Sequence, residues 1–322
     1  MKVIIIGGSG HWHFVSDAMP SHPEIEAVAI APGSIDENME NAYKAFPDAV
    51  HYADWKEMVD SVAADYAIVN PHFYLTAQIS AYCLSKDMNV YSEKPLATDL
   101  KQLEMLKKAI AASKGKLGGM FNYRFTPWFQ GLSELVKNGE IGTLRQIHAI
   151  KSYRLGTRAP FYSKRETFGG LIPWVAIHAI DWVDAFMGEC TGVSALHSDK
   201  YNGDNGTMEI SSAVLMQMEN GGIATVTADF FRPTGSARHD DDRMRITGTR
   251  GMAEVIDGVV TYENENKKRV YALPEAKNAF IEFVNAVNEG RADEFTVPSL
   301  NATLIALKAR ESADNNGAFI KL

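Results

Sequence analysis

The sequence predicts a two-domain α/β protein, in which a doubly wound parallel sheet precedes an α+β domain built on an open, mostly antiparallel sheet. Short apolar runs at 3–6, 27–31, 66–69 and 89–91 alternate with helical patterns at βαβ spacing. A glycine-rich turn, Gly7-Gly8-Ser9-Gly10, follows the first run directly. Beyond Gly118-Gly119 the texture changes to period-two alternation, broken by Asn220-Gly221-Gly222 and Gly248-Thr249-Arg250-Gly251, as in antiparallel hairpins. Domains are expected at 1–118 and 119–322, each long enough to bury a core of its own.

The run 3–6 is apolar on both faces, which suits a central parallel strand covered by helices. In the second domain a helix is expected at 127–138, a strand at 145–153 and a helix at 172–187. Strands follow at 208–218, 223–230, 244–247 and 259–262. Helices at 275–289 and 299–313 close the chain, one ending at Gly290 and the other starting behind Pro298 with Ser299 as its cap. Met208, Met216 and Met218 alternate with polar residues, so their sheet face is expected to be covered by helices or by a partner sheet.

Lys plus Arg number 32 against 40 Asp plus Glu, a formal charge of −8, which argues against nucleic acid as a general partner. At 46% hydrophobic and 22% charged the composition is that of a globular protein, and no apolar run approaches the about 20 residues of a membrane helix. The apolar stretch in Met1-Lys2-Val3-Ile4-Ile5-Ile6-Gly7 is too short for a signal peptide, so a cytoplasmic protein without a membrane partner is expected. Cys83 and Cys190 are too few for a disulfide framework or a structural zinc site, and no metal is expected.

Gly8 and Gly10 give the G-x-G of a dinucleotide fingerprint, with His13 where a third glycine would complete it. Glycines there let backbone N–H groups approach a pyrophosphate, so NAD or NADP is the expected cofactor. The second strand ends Ala29-Ile30-Ala31-Pro32-Gly33-Ser34, without an acid for the ribose or an arginine for a 2′-phosphate. Ser34 offers one hydrogen bond and Asp36 lies too far along, so the choice between NAD and NADP stays open.

Asn89-Val90-Tyr91-Ser92-Glu93-Lys94-Pro95-Leu96-Ala97 places Glu-Lys-Pro at the end of a parallel strand, where open α/β sheets bind ligands. Asn70-Pro71 follows the third run, and Tyr123-Arg124-Phe125, Gly139-Glu140-Ile141-Gly142 and Gly169-Gly170 eight residues before His178 come in order behind it. With the glycine turn, this set resembles the Gfo/Idh/MocA family over nearly the whole chain. The resemblance implies a Rossmann domain, an NAD(P)-dependent oxidoreductase acting on a sugar or cyclitol, and a homodimer or homotetramer formed through the C-terminal sheet. It implies Lys94 as the active-site lysine and His178 as the group that exchanges the substrate proton. Ser9, His11, Trp12, Asn70, Pro71 and Glu93 join Gly8, Gly10, Ser34 and Lys94 around the cofactor, and Tyr123 faces the substrate. Where the family commonly carries an aspartate one turn before the histidine, this chain has Trp174. Asp181, one turn after His178, is the candidate carboxylate in its place.

Lys151, Arg154, Arg158, Lys164 and Arg165 form a basic run without an acid, interleaved with Tyr153, Phe161 and Tyr162. Arg154 and Arg158 are therefore candidates for a substrate carboxylate or phosphate. His239, in Arg238-His239-Asp240-Asp241-Asp242-Arg243, is a candidate substrate contact, and the three consecutive acids are better read as paired or solvated than as a metal site. The reading is an NAD(P)-dependent oxidoreductase of a ring carbinol or ketone in a small-molecule substrate, with an anionic substrate among its forms. The alternatives are an NAD-dependent glycosidase using transient oxidation and a ligand-sensing member of the same fold.

Overall fold

The computed structural model describes residues 1–322, the side chain of Lys267 excepted. The chain divides into two compact units, one of 1–121, 166–169 and 278–303, the other of 122–165, 170–277 and 304–322. The first unit thus takes back the segment 278–303, which a division at 118 assigns to the second domain. Packing explains the return: Phe280 and Phe283 lie in one core cluster with Tyr66 and Tyr91, and a Cβ on Gly118 would meet the Phe283 ring at 2.7 Å.

In the first unit β1 (Lys2–Ile6), α1 (His13–Ser16), β2 (Glu26–Ala31), α2 (Glu40–Ala45), β3 (Val50–His51), α3 (Trp55–Ser61) and β4 (Tyr66–Val69) lead to α4 (Thr76–Leu84), β5 (Asn89–Ser92), α5 (Leu100–Ala112) and β6 (Leu117–Gly119). The strands form one parallel sheet in the order β3-β2-β1-β4-β5-β6. The strand β1 is central, and Val3, Ile4, Ile5 and Ile6 are fully buried between the two layers that cover the sheet. Short polar side chains start the helices: Asp54 accepts from the N–H groups of Lys56 and Glu57, and Asp99 from that of Gln102. Behind the glycine turn α1 has only four residues, shorter than the helix such a turn usually opens.

The second unit contains α6 (Pro127–Lys137), β7 (Leu144–Tyr153), α8 (Ile177–Met187), β8 (Cys190–Ser198), β9 (Ser211–Met218), β10 (Ile223–Asp229), β11 (Asp240–Gly248), β12 (Gly251–Ile256), β13 (Val259–Asn264), β14 (Lys267–Val270) and β15 (Ile320–Lys321); the short α7 (Arg165–Phe168), between β7 and α8 in the chain, belongs to the first unit beyond Arg165. Its sheet runs β14-β13-β12-β11-β7-β10-β9-β8-β15, antiparallel except where β10 pairs with β7. Met216 and Met218 lie on the buried face of β9, while Met208, though buried, precedes that strand, which starts at Ser211 and not at 208; Leu196, Leu215 and Ile223 stand exposed on strands of the same sheet. By length and composition the stretch Arg165–Met187 passes as a membrane span, contrary to the sequence expectation, but 83% of its apolar window is buried within the protein, as for a core helix.

The last helices are α9 (Ala279–Asn288), capped by Asn278, and α10 (Asp293–Asp314). Pro298 lies inside α10 rather than ahead of it, and Ser299 caps no N-terminus. Its hydroxyl donates to the Phe295 carbonyl at 2.6 Å and accepts the Gly119 N–H at 3.1 Å, tying the helix to the end of β6.

Candidate active site

The turns behind β1, β2 and β4 pack so closely that glycine is obligatory at two positions. Gly7 has φ +89°, and a Cβ on it would meet the backbone of Pro71 at 2.4 Å; a Cβ on Gly10 would meet Glu93 Oε2 at 2.2 Å. Backbone N–H groups exposed by these turns are held by two carboxylates. Glu93 is fully buried, and its Oε2 accepts from His11 N and lies 2.7 Å from His11 Nδ1, while its Oε1 accepts from Lys94 N. Burial pushes the Glu93 carboxyl up, but His11 and Lys94 outweigh it and hold it below the ordinary range.

The second carboxylate is Glu37, which no pattern in the sequence indicates. It accepts from Gly8 N and Ser9 N at 3.0 Å, from Ser9 Oγ at 2.5 Å and from Gly33 N at 2.7 Å. The loop behind β2 folds back so that a residue six positions past the strand supplies the acid absent from the strand end. Ser34 donates to Asp36 Oδ1 at 2.8 Å and lies 3.2 Å from His72 Nδ1. Trp12 donates from Nε1 to the Gly8 carbonyl at 3.3 Å.

Asn70, at the end of β4, is fully buried, yet neither its Oδ1 nor its Nδ2 has a hydrogen-bond partner among the described residues. A buried amide left so loses its hydration without return, the state of a group awaiting a ligand. Beside the close glycine turn at Gly7 and Gly10, this amide fits a bound dinucleotide. Lys94, at the end of β5, is also fully buried.

In the second unit, alternation along β7 turns Ile147, Ala149 and Lys151 inward. Lys151 therefore belongs to the core face of the strand and not to the basic loop. It pairs across strands with Asp242 on β11, and its Nζ lies 2.5 Å from Asp242 Oδ1 and 3.8 Å from Asp240 Oδ2. It also donates to the Tyr123 hydroxyl, over whose ring it sits 4.0 Å from the centroid. The Tyr123 ring meets the buried His178 imidazole edge to face at 4.9 Å. A chain of contacts thus runs from the Lys151 and Asp242 pair through Tyr123 to His178.

Asp181 is bound by Arg124. Arg124 grips both of its oxygens, Nε at 3.0 Å from each and Nη2 at 2.7 Å from Oδ1. That makes it the buried half of an ion pair rather than a substrate carboxylate. Asp184 stands beside it, 3.7 Å from Arg124 Nη2, and its carboxyl is pushed up to about 6 by burial and by the charge of Asp181, against the pull of Arg124. Since the folded carboxyl binds a proton more readily than the unfolded one, its contribution to stability is full below about pH 4 and is lost as pH rises through about 6. Asp184→Asn should flatten the fall in unfolding free energy between those values, by up to about 3 kcal/mol; denaturant titrations from pH 4 to 7 measure it.

Trp174 lies in a π-helical turn, Ile172–Ala176, and its indole meets Tyr162 edge-on at 6.4 Å. His239 stacks on Tyr153 at 4.9 Å. Asp241 is bound by Arg243 and Arg232. Arg165 is taken up by Glu209 and Asp314, so it is no substrate anchor.

Residues 1–121 match the family described as the oxidoreductase family with an NAD-binding Rossmann fold, and residues 129–254 match the GFO/IDH/MocA C-terminal domain. A structure from Thermotoga maritima, provisionally named an oxidoreductase, superposes with a TM-score of 0.96 at 34% identity, covering 100% of both chains. The oxidoreductase YrbE of Bacillus subtilis, itself uncharacterized, is 25% identical over 78% of this chain and 72% of its own length. An inositol 2-dehydrogenase of Rhizobium meliloti is 28% identical over 50% of this chain and 48% of its own. With both domains matched in order, the chain belongs to the Gfo/Idh/MocA family of NAD(P)-binding oxidoreductases.

Proposed function

We propose that the protein is an NAD-dependent dehydrogenase that oxidises a ring CH–OH of a sugar or cyclitol, or reduces the matching ketone. The observation that carries this reading is the fully buried Lys94 at the end of β5 in a chain of this family. Likeness to an inositol 2-dehydrogenase supports the substrate class. Oxidation of CH–OH to C=O takes a hydride from carbon, which bound NAD accepts, and a proton from oxygen. Lys94 donates a hydrogen bond to that oxygen and His178 takes the proton. Tyr123, held by Lys151, keeps the imidazole in place. Asn70 holds the dinucleotide against the turn that Gly8, Ser9 and His11 form.

Glu37 favours NAD over NADP in this reading: a carboxylate held beside Gly33, past the end of the second strand, repels a 2′-phosphate and keeps acceptor capacity on Oε2 for a ribose hydroxyl. In fluorescence titrations NADH should bind at least about tenfold more tightly than NADPH, and Glu37→Gln should narrow the gap. Equal affinities in the unmodified protein would remove Glu37 from this role. Net NADH from a panel of polyols that includes myo-inositol tests the dehydrogenase; glycoside cleavage without net NADH, or binding without turnover, would point to the glycosidase or the sensor. The exposed Leu196, Leu215 and Ile223 of the second sheet are what a second copy of the chain would cover.

A further inference from the structure

Most cations of the second unit that touch its core have a carboxylate: Lys151 has Asp242, Arg124 has Asp181, and Arg165 has Glu209. Arg158 has none. Its guanidinium lies between two rings, with Cζ 4.3 Å from the Phe230 centroid and 5.3 Å from that of Tyr162. Its Nη2 donates to the Arg154 carbonyl at 2.9 Å, and its Nε is buried without a partner among the described residues. The acidic groups that bear on it there are phenols, Tyr162 and Tyr153, which carry no charge near neutral pH. Burial pulls the guanidinium below its ordinary value, and its charge helps hold the His239 imidazole down. Among the described residues the Arg154 side chain reaches only the carbonyl oxygens of Thr234 and Ser236, at 3.4 and 3.5 Å.

A half-buried cation with an orphaned N–H costs stability unless an anion completes it. The rings that clamp it restrict its rotamers, so the fork is oriented before anything binds. The strip around it is built from residues of the same unit: Trp174 meets Tyr162, and Phe230 meets Tyr153, which stacks on His239.

We infer that Arg158 is an anion subsite, which takes a carboxylate or phosphate borne by the ring substrate. This rests on the dehydrogenase reading and narrows it from neutral sugars to sugar acids or sugar phosphates. Arg165, bound on both sides by carboxylates, has no part in it.

Calorimetric titration of the full chain, with and without saturating NAD, against D-glucuronate, D-glucose 6-phosphate, inorganic phosphate and D-glucose tests the inference. At least about tenfold tighter binding of one charged sugar than of glucose is expected. The charged sugar preferred tells carboxylate from phosphate. Arg158→Gln should erase the preference, and Arg158→Lys, which keeps the charge but not the fork, should retain part of it. If Arg158→Gln does not fold, loss of the preference in the unmodified protein at high salt, together with the Arg158→Lys result, decides. Equal binding of charged and neutral sugars, failure of both charged sugars to bind at millimolar concentration, inorganic phosphate binding as tightly as either, or an unchanged preference in Arg158→Gln would overturn it. Because the titrations are also run without nucleotide, a protein that binds the charged sugar but not NAD would refute the dehydrogenase while leaving the subsite standing.

Discussion

Replacing Lys94 with methionine is expected to lower turnover by about 10²-fold or more while dinucleotide affinity changes by less than about threefold. Lys94 is fully buried at the carboxyl end of β5, where parallel sheets bind ligands, and its backbone N–H is anchored by Glu93 Oε1 at 2.9 Å. Methionine keeps the length of the stem and loses only the ammonium, so the turn and the Glu93 contact to His11 persist. Removing a hydrogen bond that strengthens as negative charge grows on the substrate oxygen lowers kcat and kcat/KM together. Steady-state NADH formation on whichever polyol the panel identifies, paired with NADH titration of the variant, measures both. Unchanged turnover would take Lys94 out of the mechanism, and lost dinucleotide affinity would make it a structural residue of the cofactor cradle.

The parts legible in the sequence are those whose physics is local. Val3, Ile4, Ile5 and Ile6 carry no polar residue, and a strand covered on both faces accommodates that, so the run itself marks β1 as central. Lys94 is marked by its place at the end of a parallel run. The strands Val50–His51 and Leu117–Gly119 are too short to show a period at all. Glu37 escapes because its role depends on a loop folding back over Gly8 and Gly33, a conformation that composition does not encode. Pro298 reads in the sequence as a breaker, yet a helix that gains two contacts from Ser299 runs through it. Lys151 and Asp242 carry the sharpest lesson. Each sits at an inward position of an alternating strand, between Ala149 and the strand end or before Met244, so the alternation itself points both charges at the core. The two are 91 residues apart, and only the β7 to β11 register makes either charge intelligible.

That pair makes the largest stability prediction. Asp242→Ala is expected to lower unfolding free energy by about 3 kcal/mol, at the low end for a buried charge left without its partner. The low end applies because Asp240, 3.8 Å from Lys151 Nζ and a third exposed, recovers part of the interaction. Lys151→Met should cost less, since burial already pushes the Asp242 carboxyl up and a proton can neutralise it once the ammonium is gone. The double variant, Lys151→Met with Asp242→Leu, should be more stable than Asp242→Ala alone, because it replaces the whole pair by apolar groups and strands no charge. Urea unfolding of the three variants and the unmodified protein at pH 7 completes the cycle. A double variant no more stable than Asp242→Ala would show that the pair is not the source of the loss. Activity separates the two duties of Lys151: the double variant should stay folded yet turn over more slowly, because the Tyr123 hydroxyl has lost its donor and the ring that bears on His178 is no longer fixed.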